Sequence, residues 1–112
     1  MNNISLIGRL TKDITIKAHA NGTTATAFFT VAVKDDFKSN GEYQTQFIPC
    51  QAFIKTDNSR AYFEKFGKGD LVTVEGRIKS TSWERDGVTQ YGLQINAEKL
   101  NQLAKAKSTQ NA

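Results

Sequence analysis

A small all-β barrel with one short helix is the fold class this sequence predicts, and three observations carry it. Several stretches alternate apolar and polar residues with period two, as strands buried on one face do. Asn21-Gly22, Asn40-Gly41 and Asp86-Gly87 stand between such stretches and tolerate the positive φ of tight hairpins. A single segment, Asp57 to Phe66, changes to helical spacing.

The first strand is expected over Asn3 to Leu10, with Ile4, Leu6 and Gly8 on one face and Ser5, Ile7 and Arg9 on the other. A second extended piece runs from Ile14 to Ala18. After Asn21-Gly22, the segment Ala25 to Lys34 is rich in Phe, Thr and Val and reads as strand. Asp35 to Gln44 is polar and contains the reversal of a long hairpin, with Phe37 on its outgoing arm and Tyr43 on its return arm.

Thr45 to Lys55 follows as a strand whose even positions, Ile48, Cys50, Ala52 and Ile54, form a core face. Its odd positions set Phe47 and Phe53 among polar neighbours, with Lys55 at the end. Pro49 removes one ladder hydrogen bond and predicts an edge-like or bulged place there.

The helical segment has Asp57, Asn58 or Ser59 as N-cap, Tyr62, Phe63 and Phe66 on one side, and Gly67 at C′. Lys68-Gly69-Asp70 returns the chain to an alternating strand, with Val72, Val74, Gly76 and Ile78 on one face and Arg77, Lys79, Thr81 and Trp83 on the other. The last strand spans Thr89 to Lys99 and is expected to turn Tyr91, Leu93, Ile95 and Ala97 inward. Five strands with one helix between the third and fourth can close into a barrel plugged by Tyr62, Phe63 and Phe66, which is the OB-fold. A sandwich would also explain the alternation, but a lone helix before Lys68-Gly69-Asp70 fits the barrel better.

The chain of 112 residues fits one domain, residues 1–103, and its polar end, residues 104–112, reads as a disordered tail. Fifteen Lys and Arg against eleven Asp and Glu give +4, a balance that favours polyanions. The one cysteine, Cys50, lies on the apolar face, where burial is its expected role. No apolar run approaches the roughly 18–20 residues of a membrane span, and no secretory signal opens the chain, so a soluble cytoplasmic protein is expected. With one histidine (His19, read as a surface residue), no carboxylate pair at a diagnostic spacing, no glycine-rich phosphate loop and no zinc-ligand spacing, neither catalysis nor a cofactor is expected.

Outward aromatics beside cations suit unpaired nucleic-acid bases, which offer flat π surfaces for stacking and a phosphate backbone for positive charge. A family resemblance points the same way. Asn3-Ile4-Ser5-Leu6-Ile7-Gly8-Arg9-Leu10-Thr11-Lys12-Asp13 resembles the opening of bacterial-type single-stranded DNA-binding proteins. Asn21-Gly22-Thr23, Phe29 to Val33, Phe47 to Phe53, Lys68-Gly69-Asp70, Val74 to Ile78 and Tyr91 resemble further blocks of that family in the same order, covering residues 1 to about 103.

By that resemblance the stacking aromatics fall on Phe37, Phe47, Phe53 and Trp83. The last three are also selected by the face pattern, whereas periodicity alone does not place Phe37. Arg9, Lys34, Lys55, Arg77 and Lys79 are the expected phosphate contacts. The duller readings are that Trp83 packs on its own hairpin, that Phe47 and Phe53 belong to a subunit interface, and that the cations serve solubility.

The resemblance implies sequence-independent binding of single-stranded DNA in replication, recombination and repair, by a homotetramer or a dimer. An RNA-binding OB module and a replication adaptor protein are the alternatives. Ile14-Thr15 stands where the family usually has a Pro-Glu pair, and two positions often Trp are Phe. Cellular members usually carry an acidic tail that recruits replication and recombination proteins. Here the sequence closes on Lys107-Ser108-Thr109-Gln110-Asn111-Ala112, which suggests a phage or mobile-element form in a host cytoplasm, a short paralogue or a truncation.

Overall fold

Period-two alternation places the strands much as expected, and their pairing closes the barrel. The computed structural model describes residues 1–106 and contains β1 (Ile4–Leu10), β2 (Thr15–Ala18), β3 (Ala25–Ser39), β4 (Glu42–Ile54), α1 (Asp57–Glu64), β5 (Leu71–Arg85) and β6 (Val88–Ala104). The sheet order is β1-β5-β6-β4-β3-β2, and a further β1–β3 pairing closes the ring. β1 and β2 are two lengths of one barrel strand, since both pair antiparallel with β3, through Arg9 opposite Ala32 and Ile16 opposite Ala27. Counted this way there are five barrel strands, and the helix stands between the third and fourth. The architecture is the OB-fold.

The inward residues make one core. Leu10, Val31, Val72 and Val74 are fully buried, with Phe29, Ile54, Ile95 and Leu100 around them. Cys50 belongs to this core, and burial pushes its thiol up to about 12, which keeps it unreactive. Pro49 stays in register opposite Thr30 without a bulge. The missing N–H is accommodated because β4 meets β6 only at Cys50 and Gln51, in a short parallel pairing. The irregularity in β3 falls instead between Lys34 and Lys38.

The helix differs from expectation at both ends. Thr56, extended at φ −136°, is the N-cap, and its hydroxyl accepts from the Ser59 N–H. The helix stops at Glu64 with Lys65 still right-handed, so Gly67 lies beyond the cap. Phe66 is buried in the core and Phe63 packs on it. Tyr62 is half-exposed at the rim, edge-on to both rings, and its hydroxyl donates to the Leu100 carbonyl.

Two hairpins reach past the barrel. Asn40-Gly41 and Asp86-Gly87 turn them with positive φ at all four residues, the geometry that matches strand twist. On the second hairpin, Tyr91 and Leu93 do not face a core as expected: they are 78% and 66% exposed. The cause is register. Leu93 lies opposite Ser80 and Tyr91 opposite Ser82, so this stretch has left the barrel, and among the described residues no further strand covers its inner face. Ile78, one step nearer, is already partly exposed.

β6 runs past the expected end of the folded region at Leu103. Ala104 remains in the strand, the Lys105 ammonium donates to the Lys65 carbonyl, and the Ala106 N–H donates to Asp70. These backbone and charge contacts order residues 104–106, which the polar composition had assigned to a disordered tail. The rest of that expected tail, residues 107–112, lies outside the described residues. Among the described residues no helix is long and apolar enough to cross a membrane.

Candidate nucleic-acid interface

Residues that pair across adjacent strands share a face, so the register identifies what stands on the outer surface of the sheet. From β2 to β5 that surface reads Lys17, Thr26, Phe53 on one row and Phe28, Gln51, Asn96, Arg77 on the next. Further along come Phe47 beside Ala32 and Arg9, and, on the other hairpin, Lys79 beside Gln94 and Trp83 beside Gln90.

Phe47 is 65% exposed and Phe53 55%, as the odd positions of β4 predicted. Six residues apart on one strand, they are separated by about 20 Å. Trp83 is 51% exposed. Its six-membered ring covers Gly92, whose Cα hydrogen side has room for the ring because a Cβ there would lie 3.2 Å from Cζ3. Phe37 is the barest of the four at 84%, within the irregular stretch of β3 between Lys34 and Lys38.

The cations separate into three groups. Lys79 lines a cleft of about 270 Å³ with Phe53, Thr26, Gln51 and Asn96, so an aromatic and a basic residue border one hollow. Its floor is braced by a hydrogen bond from Gln51 Nε2 to Asn96 Oδ1 at 3.0 Å. Lys55 lies 6.0 Å from the Phe53 centroid, and Lys34 lies 4.8 Å from that of Tyr43. Arg77 and Arg9 are engaged elsewhere: Arg77 contacts Glu98 at 3.7 Å, and Arg9 donates to the Gly69 carbonyl at 3.0 Å. Both remain exposed at the surface.

Two features escaped the sequence reading. His19 is not a free surface residue: its nitrogens hydrogen-bond the hydroxyls of Thr24 and Thr26, and its ring lies 5.4 Å from that of Phe53. Nothing in periodicity foretells this, because the β2–β3 turn brings the three together. Tyr43, flanked by both Lys34 and Lys38, forms a cation-lined aromatic on the first long hairpin. The aromatic and basic residues near that turn were its only sequence signal.

A profile described as the single-strand binding protein family matches residues 1–103. "Single-stranded DNA-binding protein 3" of Clostridium acetobutylicum is 39% identical over 113 aligned residues, covering 100% of this chain and 77% of that protein. "Single-stranded DNA-binding protein 1" of Streptococcus pyogenes is 34% identical, covering 99% of this chain and 85% of its own length. A solved structure titled "Plasmodium falciparum SSB complex with ssDNA" superposes with a TM-score of 0.76 at 23% identity, over 92% of this chain and 95% of that one, which establishes likeness of fold.

Proposed function

The chain belongs to the single-strand binding protein family, and from that premise we propose that it binds single-stranded DNA without reading sequence, in replication, recombination and repair. The observation that carries this reading is the hollow between Phe53 and Lys79, where an open ring and a positive charge share one braced sheet surface. Phe37, Phe47, Phe53 and Trp83 stack bases, each worth about 1–3 kcal/mol. Arg9, Lys34, Lys55, Arg77 and Lys79 contact phosphates and release counterions. Rings stack on any base and cations meet any phosphate, so neither element selects sequence.

The protein acts by binding rather than catalysis, in the cytoplasm, as a homotetramer. Ile7, Tyr91 and Leu93 are large apolar side chains open at the surface, and association of copies removes such area from water.

Titration with oligo(dT) and oligo(rU) of several lengths, at two salt concentrations and with light scattering for mass, tests all of this. Tight oligo(dT) binding whose log affinity falls with log salt by about 0.7 per phosphate contacted is expected. Preference for oligo(rU) would make it an RNA module, and a salt-independent affinity would remove the phosphate contacts.

A further inference from the structure

Phe28 belongs to the strand after Asn21-Gly22, where two phenylalanines stand side by side and alternation must turn one inward and one out. Phe29 is buried at 3%, and Phe28 is 38% exposed on the same outer surface as Phe53 and Phe47. It lines a second cleft, of about 280 Å³, together with Lys12, Lys17, Thr30, Pro49 and Gln94. The Lys17 ammonium lies 5.6 Å from its ring centroid.

This cleft continues the hollow at Phe53 and Lys79. β3 contributes Thr26 to the first and Thr30 to the second, β4 contributes Gln51 and then Pro49, and β6 contributes Asn96 and then Gln94. The three strands thus supply both hollows in step, with Phe28 between Thr26 and Thr30. At Pro49 the separation of β4 from β6 deepens the surface, since the two strands pair only at Cys50 and Gln51. No ion pair among the described residues involves Lys12 or Lys17.

We propose that Phe28, with Lys12 and Lys17, forms a further nucleotide subsite, which stacks one unpaired base and holds its phosphates as the strand leaves the Phe53 hollow toward β2. The inference rests on the single-strand-binding reading above. Lys17 is a long, rotatable side chain, so it exchanges its place over the ring for a phosphate when a base arrives, and the ring face becomes free for stacking.

The test uses the full chain with oligo(dT) of increasing length. Phe28→Ala is expected to lower affinity for long oligo(dT) by about 5- to 150-fold, the loss of one stacked base, with little change for oligomers too short to reach the subsite. Phe28→Tyr should restore most of it. Lys12→Gln and Lys17→Gln should each reduce the salt slope by about 0.7. Photo-cross-linking of 5-iodouracil oligonucleotides to the wild-type chain gives a readout free of folding effects, and the tryptic peptide of residues 18–34 should carry the adduct at Phe28.

Wild-type affinity of Phe28→Ala at every length, or cross-links that spare Phe28 while forming at Phe53 or Trp83, would overturn the subsite and leave the general reading standing. A wild-type chain that fails to bind oligo(dT) would overturn both.

Discussion

The imidazole of His19 rests against the ring of Phe53, with centroids 5.4 Å apart and planes inclined by 32°. Hydrogen bonds to Thr24 at 2.6 Å and Thr26 at 2.7 Å hold the imidazole from both sides. The ring that faces the Lys79 hollow is therefore supported by a second ring which is itself fixed. A fixed platform loses less rotamer freedom when a base stacks on it.

His19→Ala is accordingly expected to weaken oligo(dT) binding by a few-fold, consistent with the about 0.5–1.5 kcal/mol of an aromatic pair. Phe53→Ala should cost more, because it removes the platform itself. The double variant should be no weaker than Phe53→Ala, and a fully additive loss in this cycle would show that His19 acts independently of Phe53.

Trp83 is the chain's one tryptophan, so its fluorescence reports on a single place. Quenching by oligo(dT) is expected, since a half-exposed ring stacks directly on a base. Gly92 leaves room for that ring, and a Cβ there would crowd Trp83 Cζ3, Cη2 and Thr81 Oγ1 at 3.2–3.3 Å. Gly92→Val should displace the ring, shift the emission of the free protein and reduce quenching. An emission spectrum and quench identical to wild type would refute the covering arrangement.

Arg77 and Lys79 stand two residues apart on one face, but only Arg77 meets a carboxylate, Glu98, at 3.7 Å. Both partners of that pair are exposed, so the interaction is weak, about 0–1 kcal/mol. Glu98→Gln should release Arg77 and remove a charge that repels phosphate, raising oligo(dT) affinity up to about 5-fold at low salt. Affinity that falls or stays unchanged at low salt would place the strand away from Arg77.

Alternation in the sequence was enough to identify which side of the sheet the residues of Phe47 to Ile54 occupy, though not Phe37, which lies in the irregular part of β3. Phe47 and Phe53 stand outward and Cys50, Ala52 and Ile54 inward because parity is a local property of the backbone. Whether anything covers a given face depends on other strands. Tyr91 and Leu93 have the correct parity for the core, yet their part of β6 lies opposite Ser82 and Ser80 beyond the barrel's end. The same limit hid the contact of His19 with Phe53, which requires the β2–β3 turn, and the engagement of Arg77 by Glu98, which requires the β5–β6 irregularity between Glu75 and Gly76. The helix start was displaced by one residue because Thr56, itself a capping residue type, precedes Asp57 and accepts from the Ser59 N–H.

Asp70 is the one buried charged residue among those described, 2% exposed at the barrel's end. Burial alone would raise its pKa. The N–H groups of Gly67 and Ala106, the Gln102 amide and the Lys105 ammonium outweigh that and hold the carboxyl below its ordinary value. The hydrogen-bond donors lie 2.9–3.0 Å away. They come from the α1–β5 connection and from the end of β6, so the carboxylate ties the two together. With the folded pKa below the unfolded value of about 3.9, the contribution to stability is fully present above that range and is lost as pH falls through it toward the folded pKa. Asp70→Ala should cost about 3 kcal/mol, because buried donors are left unpaired. Asp70→Asn should flatten the acid limb of the stability curve measured by denaturant unfolding, with the difference from wild type developing as the pH falls below the unfolded value of about 3.9, where the unfolded chain takes up a proton that the folded carboxylate resists. If the stability of the Asp70→Asn variant fell with acid as steeply as that of wild type, other carboxylates would govern the acid transition.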